Sequence, residues 1–298
     1  MRAVLVVIFL VACGKHPGSY DNSAAAAAEG AKAAASTDAA TAADQAWSER
    51  FDEQRLKDAL DAYEAIAAAD STNRQALERL TRGWYFWGDA FSDDKDTKVE
   101  RWGTAIEWGT RCLSLNEQFA QAIADGKKEK EAVEFATRAD VPCLYWTATA
   151  LGKWGKAQSL SKTLRHLPTV KAYVSTTEQL DPAYFNYGPA RYWGAYYSAL
   201  PSFAGRDFDK STEYFAASIE GAPYYLATRV LRAEMLAVGT ANVSLFDADL
   251  AHVLAADANA KPDAGVTAEN MKEQEKAKSL IARRSELFDK KALESSGD

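Results

Sequence analysis

Val170-Lys171-Ala172-Tyr173-Val174-Ser175-Thr176-Thr177-Glu178-Gln179-Leu180 runs straight into Asp181-Pro182-Ala183-Tyr184. Val170, Tyr173, Val174 and Leu180 recur at helical spacing, which gives the first stretch one apolar face. The Asp-Pro pair then reads as the end of one helix and the opening of another. Proline suits a first helical turn because its missing N–H would have no partner there, and Asp181 is placed to cap free N–H groups. The same arrangement recurs along the chain. One helix ends near Ala69-Asp70 and the next follows Ser71-Thr72-Asn73; another ends at Glu220-Gly221, and Ala222-Pro223-Tyr224-Tyr225 opens its successor.

Helical apolar faces fill the chain from Trp47 to Phe288: Ala76, Leu77, Leu80, Trp84, Trp87 and Phe91; Trp102, Ala105, Ile106, Gly109, Cys112 and Leu113; Leu226, Val230, Ala233 and Ala237; Ala277, Leu280, Ile281, Arg284, Leu287 and Phe288. No clean period-2 alternation competes with them, and 17 Gly and 8 Pro are few for a turn-rich β protein. The expected fold is all-α. The pattern resembles tetratricopeptide repeats, stacked helix pairs of about 34 residues, but its spacing here is irregular. We therefore expect irregular tetratricopeptide-like helical hairpins forming a compact solenoid, with a plain helical bundle as the alternative.

The 298 residues include 47% hydrophobic and 11% aromatic side chains, enough for a sizeable core. A net charge of −7 offers no global attraction to phosphate, so no nucleic-acid partner is expected. At the N-terminus, Met1-Arg2 precedes an apolar run from Ala3 to Ala12 and then Cys13. A basic start, a short apolar core and a small residue at the boundary describe an export signal. Leu10-Val11-Ala12-Cys13 looks like the bacterial lipobox, which makes Cys13 the lipid-attachment site; an ordinary secretory signal with a chance cysteine is the blander alternative. The expected organisation is a signal at 1–12, a lipidated cysteine and Ala/Ser-rich tether at 13–45, a helical repeat domain at 46–290 and a disordered tail at 291–298. Gly14 does not look like an inner-membrane retention signal, which favours the outer membrane.

Text for catalysis is missing. There is no phosphate-binding glycine loop, no G-x-S-x-G and no H-E-x-x-H. His16 falls in the tether, and His166 and His252 lie far apart and read as surface or groove histidines. Asp93, Asp94 and Asp96 read as a solvated loop lacking the ligand spacing of a calcium site. No enzyme activity, cofactor or metal is expected. Cys112 and Cys143 are the thiols left after lipidation, near a helix end and a helix start. The sequence leaves open whether they bridge or are buried separately.

Large aromatics with polar tips cluster on the helices expected to start near Asn73, Val141, Tyr184 and Pro223. If these are the inner helices of a solenoid, Trp84, Trp87, Tyr145, Trp146, Tyr192, Tyr196, Tyr224 and Tyr225 line a pocket or pore. Asn186 and Arg191 would supply polar contacts near one mouth. Such rings suit a site that is apolar and still hydrogen-bonds a ligand, and a guanidinium among them suits a carboxylate.

Longer text in the middle of the chain is more specific. Asp140-Val141-Pro142-Cys143-Leu144-Tyr145-Trp146 leads to Leu151-Gly152-Lys153-Trp154. Tyr187-Gly188-Pro189-Ala190-Arg191-Tyr192-Trp193-Gly194-Ala195-Tyr196-Tyr197 follows, then Leu200-Pro201, Gly205, Asp207, Lys210-Ser211 and Ala222-Pro223-Tyr224-Tyr225-Leu226. From about Tyr63 to Val238 the chain resembles the TatT family, the tetratricopeptide-type lipoprotein component associated with some bacterial TRAP transporters. The resemblance implies a periplasmic, lipid-anchored helical protein. It also implies a homotrimer that works with a TRAP solute-binding protein and passes or holds its solute through a pore; the aromatics and Arg191 make a small carboxylate or apolar solute the expectation. It brings no catalytic residues. The alternative function is an envelope scaffold lipoprotein that binds peptides or protein partners through a tetratricopeptide-like groove.

Overall fold

The computed structural model describes residues 37–295; the expected signal, Cys13, His16 and the residues after 295 lie outside them. The described residues are helical and contain no strand: α1 Thr37–Ser48, α2 Glu53–Ala69, α3 Arg74–Ala90, α4 Lys95–Leu113, α5 Glu117–Ala124, α6 Glu129–Ala132, α7 Val141–Gln158, α8 Leu160–Leu180, α9 Tyr184–Ala199, α10 Phe208–Gly221, α11 Ala227–Leu231, α12 Val243–Ala255, α13 Thr267–Ala282, α14 Arg284–Leu287 and α15 Lys290–Ser295. Side-chain caps begin many of them. Asp52, Asn73, Asp94, Ser159, Asp207 and Asn242 each accept an N–H from the first turn that follows, satisfying donors that have no partner inside the helix. Asp94 is therefore a cap on α4.

Consecutive helices pack as hairpins: α1 on α2, α3 on α4, α7 on α8, α9 on α10, and α12 on the π turn Arg232–Ala237 that continues α11. The first helix of each hairpin also touches the first helix of the next, α3 to α7, α7 to α9 and α9 to the π turn. These helices form an inner layer. One large core runs from Trp47 and Leu56 through Leu80, Ile106, Leu144 and Tyr173 to Trp193, and a second joins Leu226, Val230, Phe246, Leu250 and Leu280. The irregular period has a visible source. Between α4 and α7 the chain leaves the stack through α5, α6 and short 3-10 turns. Asn116 holds the two ends of this excursion together by donating to the Phe135 carbonyl and the Asp140 carboxylate. Cys112 and Cys143, at the same two ends, are bonded, with Cα atoms 5.8 Å apart.

Several expected boundaries shift. Helix α1 begins at Thr37, inside the stretch expected as tether, because Ala43, Ala46 and Trp47 are buried in the main core. Residues to Ser295 are helical, so 291–295 are not a disordered tail; Ala292 and Leu293 pack on the second core. The late helix starts at Thr267 and breaks at Arg283, before Arg284, Leu287 and Phe288. Asp181 does not cap α9: it accepts from Arg138, and the residue ahead of the helix is Ala183. Ala222-Pro223-Tyr224-Tyr225 is a turn ahead of α11. Asn270 of α13 pins it, accepting from Leu226 N–H and donating to the Tyr224 carbonyl.

Helix α13 joins the inner layer and closes it. It packs on α11 and α12, and its charged side chains reach α3. Glu269 pairs with Arg82 at 2.6 Å, and seven residues further along both helices Lys276 pairs with Asp89 at 3.1 Å. Equal steps in the same direction mean that α13 and α3 run parallel.

Candidate functional site

The inward face of α3 carries Glu78, Arg82, Tyr85 and Asp89, at the i, i+4, i+7, i+11 spacing of one helical stripe. Opposite them α13 presents Glu269, Glu273 and Lys276, and α7 presents Tyr145, Trp146 and Lys153. The expected aromatic set divides accordingly. Tyr145, Trp146, Arg191 and Tyr225 are buried and mutually in contact. Trp146 packs at 5.1 Å from Tyr145 and 5.4 Å from Tyr85, and Arg191 lies 4.4 Å from the centre of the Tyr225 ring. Tyr192 of α9 crosses to α7, where its hydroxyl occupies the space that a Cβ on Gly152 would take.

Trp84 and Trp87 point elsewhere. Their indole N–H groups donate to Glu64 and Glu53 of α2, so both rings cover the outside of α3. Tyr196 packs edge-on against Trp193 and Tyr197 beneath Lys171 of α8, and Tyr224 lies under Lys261 in its turn. His166, expected as a surface or groove histidine, is buried edge-on against Trp154, while His252 is exposed. Among the described residues no His, Cys, Asp and Glu cluster is placed to hold a metal.

The centre of the site is an unusual piece of backbone. Phe185, Asn186 and Tyr187 have φ of 45°, 57° and 55°, a left-handed turn inside the span of α9. For side chains other than glycine this conformation costs roughly 1–2 kcal/mol per residue. The surroundings hold it. Arg191 donates to the Phe185 carbonyl at 3.1 Å and to the Asn186 carbonyl at 2.9 Å, and the Ser218 hydroxyl donates to that of Tyr187. The turn drives the Phe185 ring inward, 4.6 Å from Trp146 and 5.4 Å from Tyr225. It also brings Gly188 against Tyr145, whose ring would collide with any Cβ there. The right-handed segment then restarts at Gly188-Pro189, so Asn186 acts through its backbone carbonyl and Pro189 takes the first-turn place.

Arg191 is 4% exposed, and its third partner is the Tyr145 hydroxyl at 2.8 Å. Among the described residues no carboxylate pairs with it. Burial works against its charge, yet the facing phenols of Tyr145 and Tyr225 raise its pKa. Tyr225 itself is pushed well up by burial. Arg82 stacks 4.4 Å from Phe185 on the other side and leaves its Nε without an acceptor.

Toward the C-terminal ends of the inner helices the charges are paired. Asp89 accepts from Lys153 at 2.7 Å and from Lys276 at 3.1 Å, and Lys276 also reaches Glu273 at 3.0 Å. Burial alone would raise Asp89, but the two ammonium groups overcome it and hold the carboxyl well below its ordinary range. Glu269 behaves alike: despite burial, Arg50 and Arg82 hold it at about 2. Glu273 goes the other way. Burial raises it, Lys276 only partly offsets that, and its Oε2 has no hydrogen-bond partner. Sequence reasoning missed Arg82, Tyr85, Asp89, Glu269, Glu273 and Lys276. The available signal was a charged stripe at helical spacing on helices whose other faces are apolar.

No helix among the described residues is long and apolar enough to cross a membrane. No curated protein matches the chain. A family model for the TRAP transporter T-component matches residues 52–288, which takes in α3 to α13 and every charged and aromatic residue of the inner layer. The chain thus belongs to the TRAP transporter T-component family and serves these transporters as an auxiliary component.

Proposed function

We propose that this component is a periplasmic protein anchored by a lipid on Cys13, on the outer-membrane side. In this reading it acts as a homotrimer, binds a TRAP solute-binding protein, and passes or holds a small solute, a carboxylate in preference to an apolar one, at the inner layer of α3, α7, α9, α11 and α13. The observation that carries the solute reading is Arg191: a buried guanidinium whose partners are two carbonyls and a phenol. A buried cation is expensive without an anion, and a ligand carboxylate completes it. Water access to the inner layer is supported by Asp89, Lys153 and Lys276. Their side chains keep 15, 32 and 28% of their surface open, although burial is the largest influence on Asp89 and Lys276. The peptide-scaffold reading is disfavoured by α13, which lies across the inner layer where a peptide groove would be. Calorimetric titration with short mono- and dicarboxylates tests the solute reading. We expect binding by the wild type and a loss of at least about tenfold in Arg191→Met with its helical spectrum intact. Equal binding by both proteins, or none by the wild type, overturns it.

A further inference from the structure

Arg191 is 4% exposed, so a carboxylate reaches it only past whatever covers it. Its contacts are of two kinds. Tyr145 and Tyr225 are buried as it is. Phe185 and Asn186, whose carbonyls accept from it, are half-buried and reach the surface. The cover is therefore the left-handed turn. Its outer side is open, because Pro182 and Ala183 ahead of it and Tyr187 at its end are exposed. The turn also imitates what it excludes. The Nη1 of Arg191 donates to the Asn186 carbonyl at 2.9 Å and its Nη2 to the Phe185 carbonyl at 3.1 Å. Two acceptors on the two ends of the guanidinium fork are what one carboxylate supplies with its two oxygens. The Phe185 ring adds a second substitute. It lies 4.4 Å from the Arg82 guanidinium and 5.7 Å from that of Arg191. Neither cation is fully matched: Arg82 shares Glu269 with Arg50, and Arg191 has two carbonyls and a phenol.

We propose that the Phe185–Tyr187 turn is a displaceable strap: it holds the carboxylate's place on Arg191 with its own two carbonyls, and the ligand enters by displacing it. This rests on the carboxylate reading above and adds its gate. A carboxylate exchanges two neutral acceptors for two charge-assisted ones, which are the stronger. The Tyr145 hydroxyl remains as third partner. Displacement also lets Phe185, Asn186 and Tyr187 leave the left-handed region, which side chains other than glycine disfavour. The strain of the shut turn thus offsets part of the cost of breaking its bonds. Gly188 follows directly and supplies backbone freedom at the pivot. While the strap is shut the site is closed, so the apparent affinity is the intrinsic one reduced by the fraction that is open.

The test is calorimetric titration of the intact protein with acetate, propionate and succinate, using variants at Asn186. This residue is the middle of the turn and acts on Arg191 through its backbone carbonyl. Glycine accepts the left-handed conformation freely, and a β-branched side chain resists it. We expect Asn186→Gly, which favours the shut strap, to bind about threefold more weakly than the wild type, and Asn186→Val to bind at least about threefold more tightly. Phe185→Ala removes the ring that anchors the strap and should bind at least about tenfold more tightly. Hydrogen exchange without ligand reads the strap itself. The Tyr187 amide, bonded to the Ala183 carbonyl at 3.2 Å, should exchange more slowly in Asn186→Gly and faster in Asn186→Val, with α4 amides unchanged. A purely structural turn predicts otherwise: Asn186→Gly leaves binding unchanged, and Phe185→Ala weakens it. Either result, with the helical spectrum intact, overturns the strap and leaves the carboxylate reading standing, as does a Tyr187 amide that exchanges equally in all three proteins. No binding by the wild type overturns the carboxylate reading and the strap with it.

Discussion

Helix α4 meets α7, and α3 meets α13, by opposite means. At the first junction the contact is small and apolar. Ala105, Ile106, Ala148, Ala150 and Leu151 are fully buried, a Cβ on Gly109 would fall on the Thr147 hydroxyl, and Cys112 is bonded to Cys143. At the second, long charged side chains bridge the helices. Glu269 takes Arg50 and Arg82, Asp89 takes Lys276, and Lys272 lies 4.2 Å from the centre of the Phe91 ring. Burial of apolar surface is non-directional and, unlike a charge pair, is not screened by salt. Buried ion pairs add little net stability but are costly to break one-sidedly. The first junction fixes the stack; the second selects one arrangement of a helix that covers the inner face.

The sharpest way to break the contrast is Glu269→Ala. It leaves Arg50, 3% exposed, and Arg82 buried without an anion, and we expect a loss of about 3–5 kcal/mol in denaturant unfolding. Glu269→Gln, which keeps hydrogen bonds, should lose less. Acid should act in the same direction. Glu269 falls from an ordinary 4.5 to about 2 in the fold, and Asp89 is also depressed. Their stabilisation is present above the ordinary value and is lost as pH falls toward the folded one. Glu273, which is raised, opposes this more weakly, because acid removes the cost of its buried charge. Hydrogen exchange between pH 4.5 and 2 should show α13 amides opening before those of α4 and α7, and simultaneous opening would refute the contrast.

Removing the disulfide is next in size. Cys112 and Cys143 are 31 residues apart in sequence, and the double serine variant should lose about 3–4 kcal/mol on loop-closure grounds, equally at low and high salt. Gly109→Ala forces Thr147 aside and should cost about 1–3 kcal/mol as overpacking, read from the thermal midpoint. The smallest effect is Lys272→Ala, which removes a cation–aromatic contact worth about 0.5–1 kcal/mol together with an exposed ion pair to Glu275 that adds little; unlike Gly109→Ala, its cost should shrink in high salt.

Much of the fold was legible because it is local. Helical spacing marked Leu226, Val230, Ala233 and Ala237, which are all buried, and α3 starts directly after Asn73, as expected. The middle-chain text that resembles TatT lies within the family match. The site was legible only in part. Trp84-Tyr85-Phe86-Trp87 surrounds α3 with aromatics on every side, so periodicity could not say which ring looks inward; Tyr85 does, and its tryptophan neighbours face α2. The left-handed turn at Phe185–Tyr187 contains no glycine to announce it. Its stability comes from Arg191 and Ser218, outside the turn itself.

The sequence by itself determined the helices, their order and the family, since these rest on contacts within a turn or between neighbours. Tertiary structure alone decided that a charged stripe is interior. Glu78, Arg82 and Asp89 on one helix, and Glu269, Glu273 and Lys276 on another, read as solvated faces when each helix is taken alone. Burying these charges is tolerable because their counter-charges meet them from another helix, and Arg82 and Glu269 are 187 residues apart.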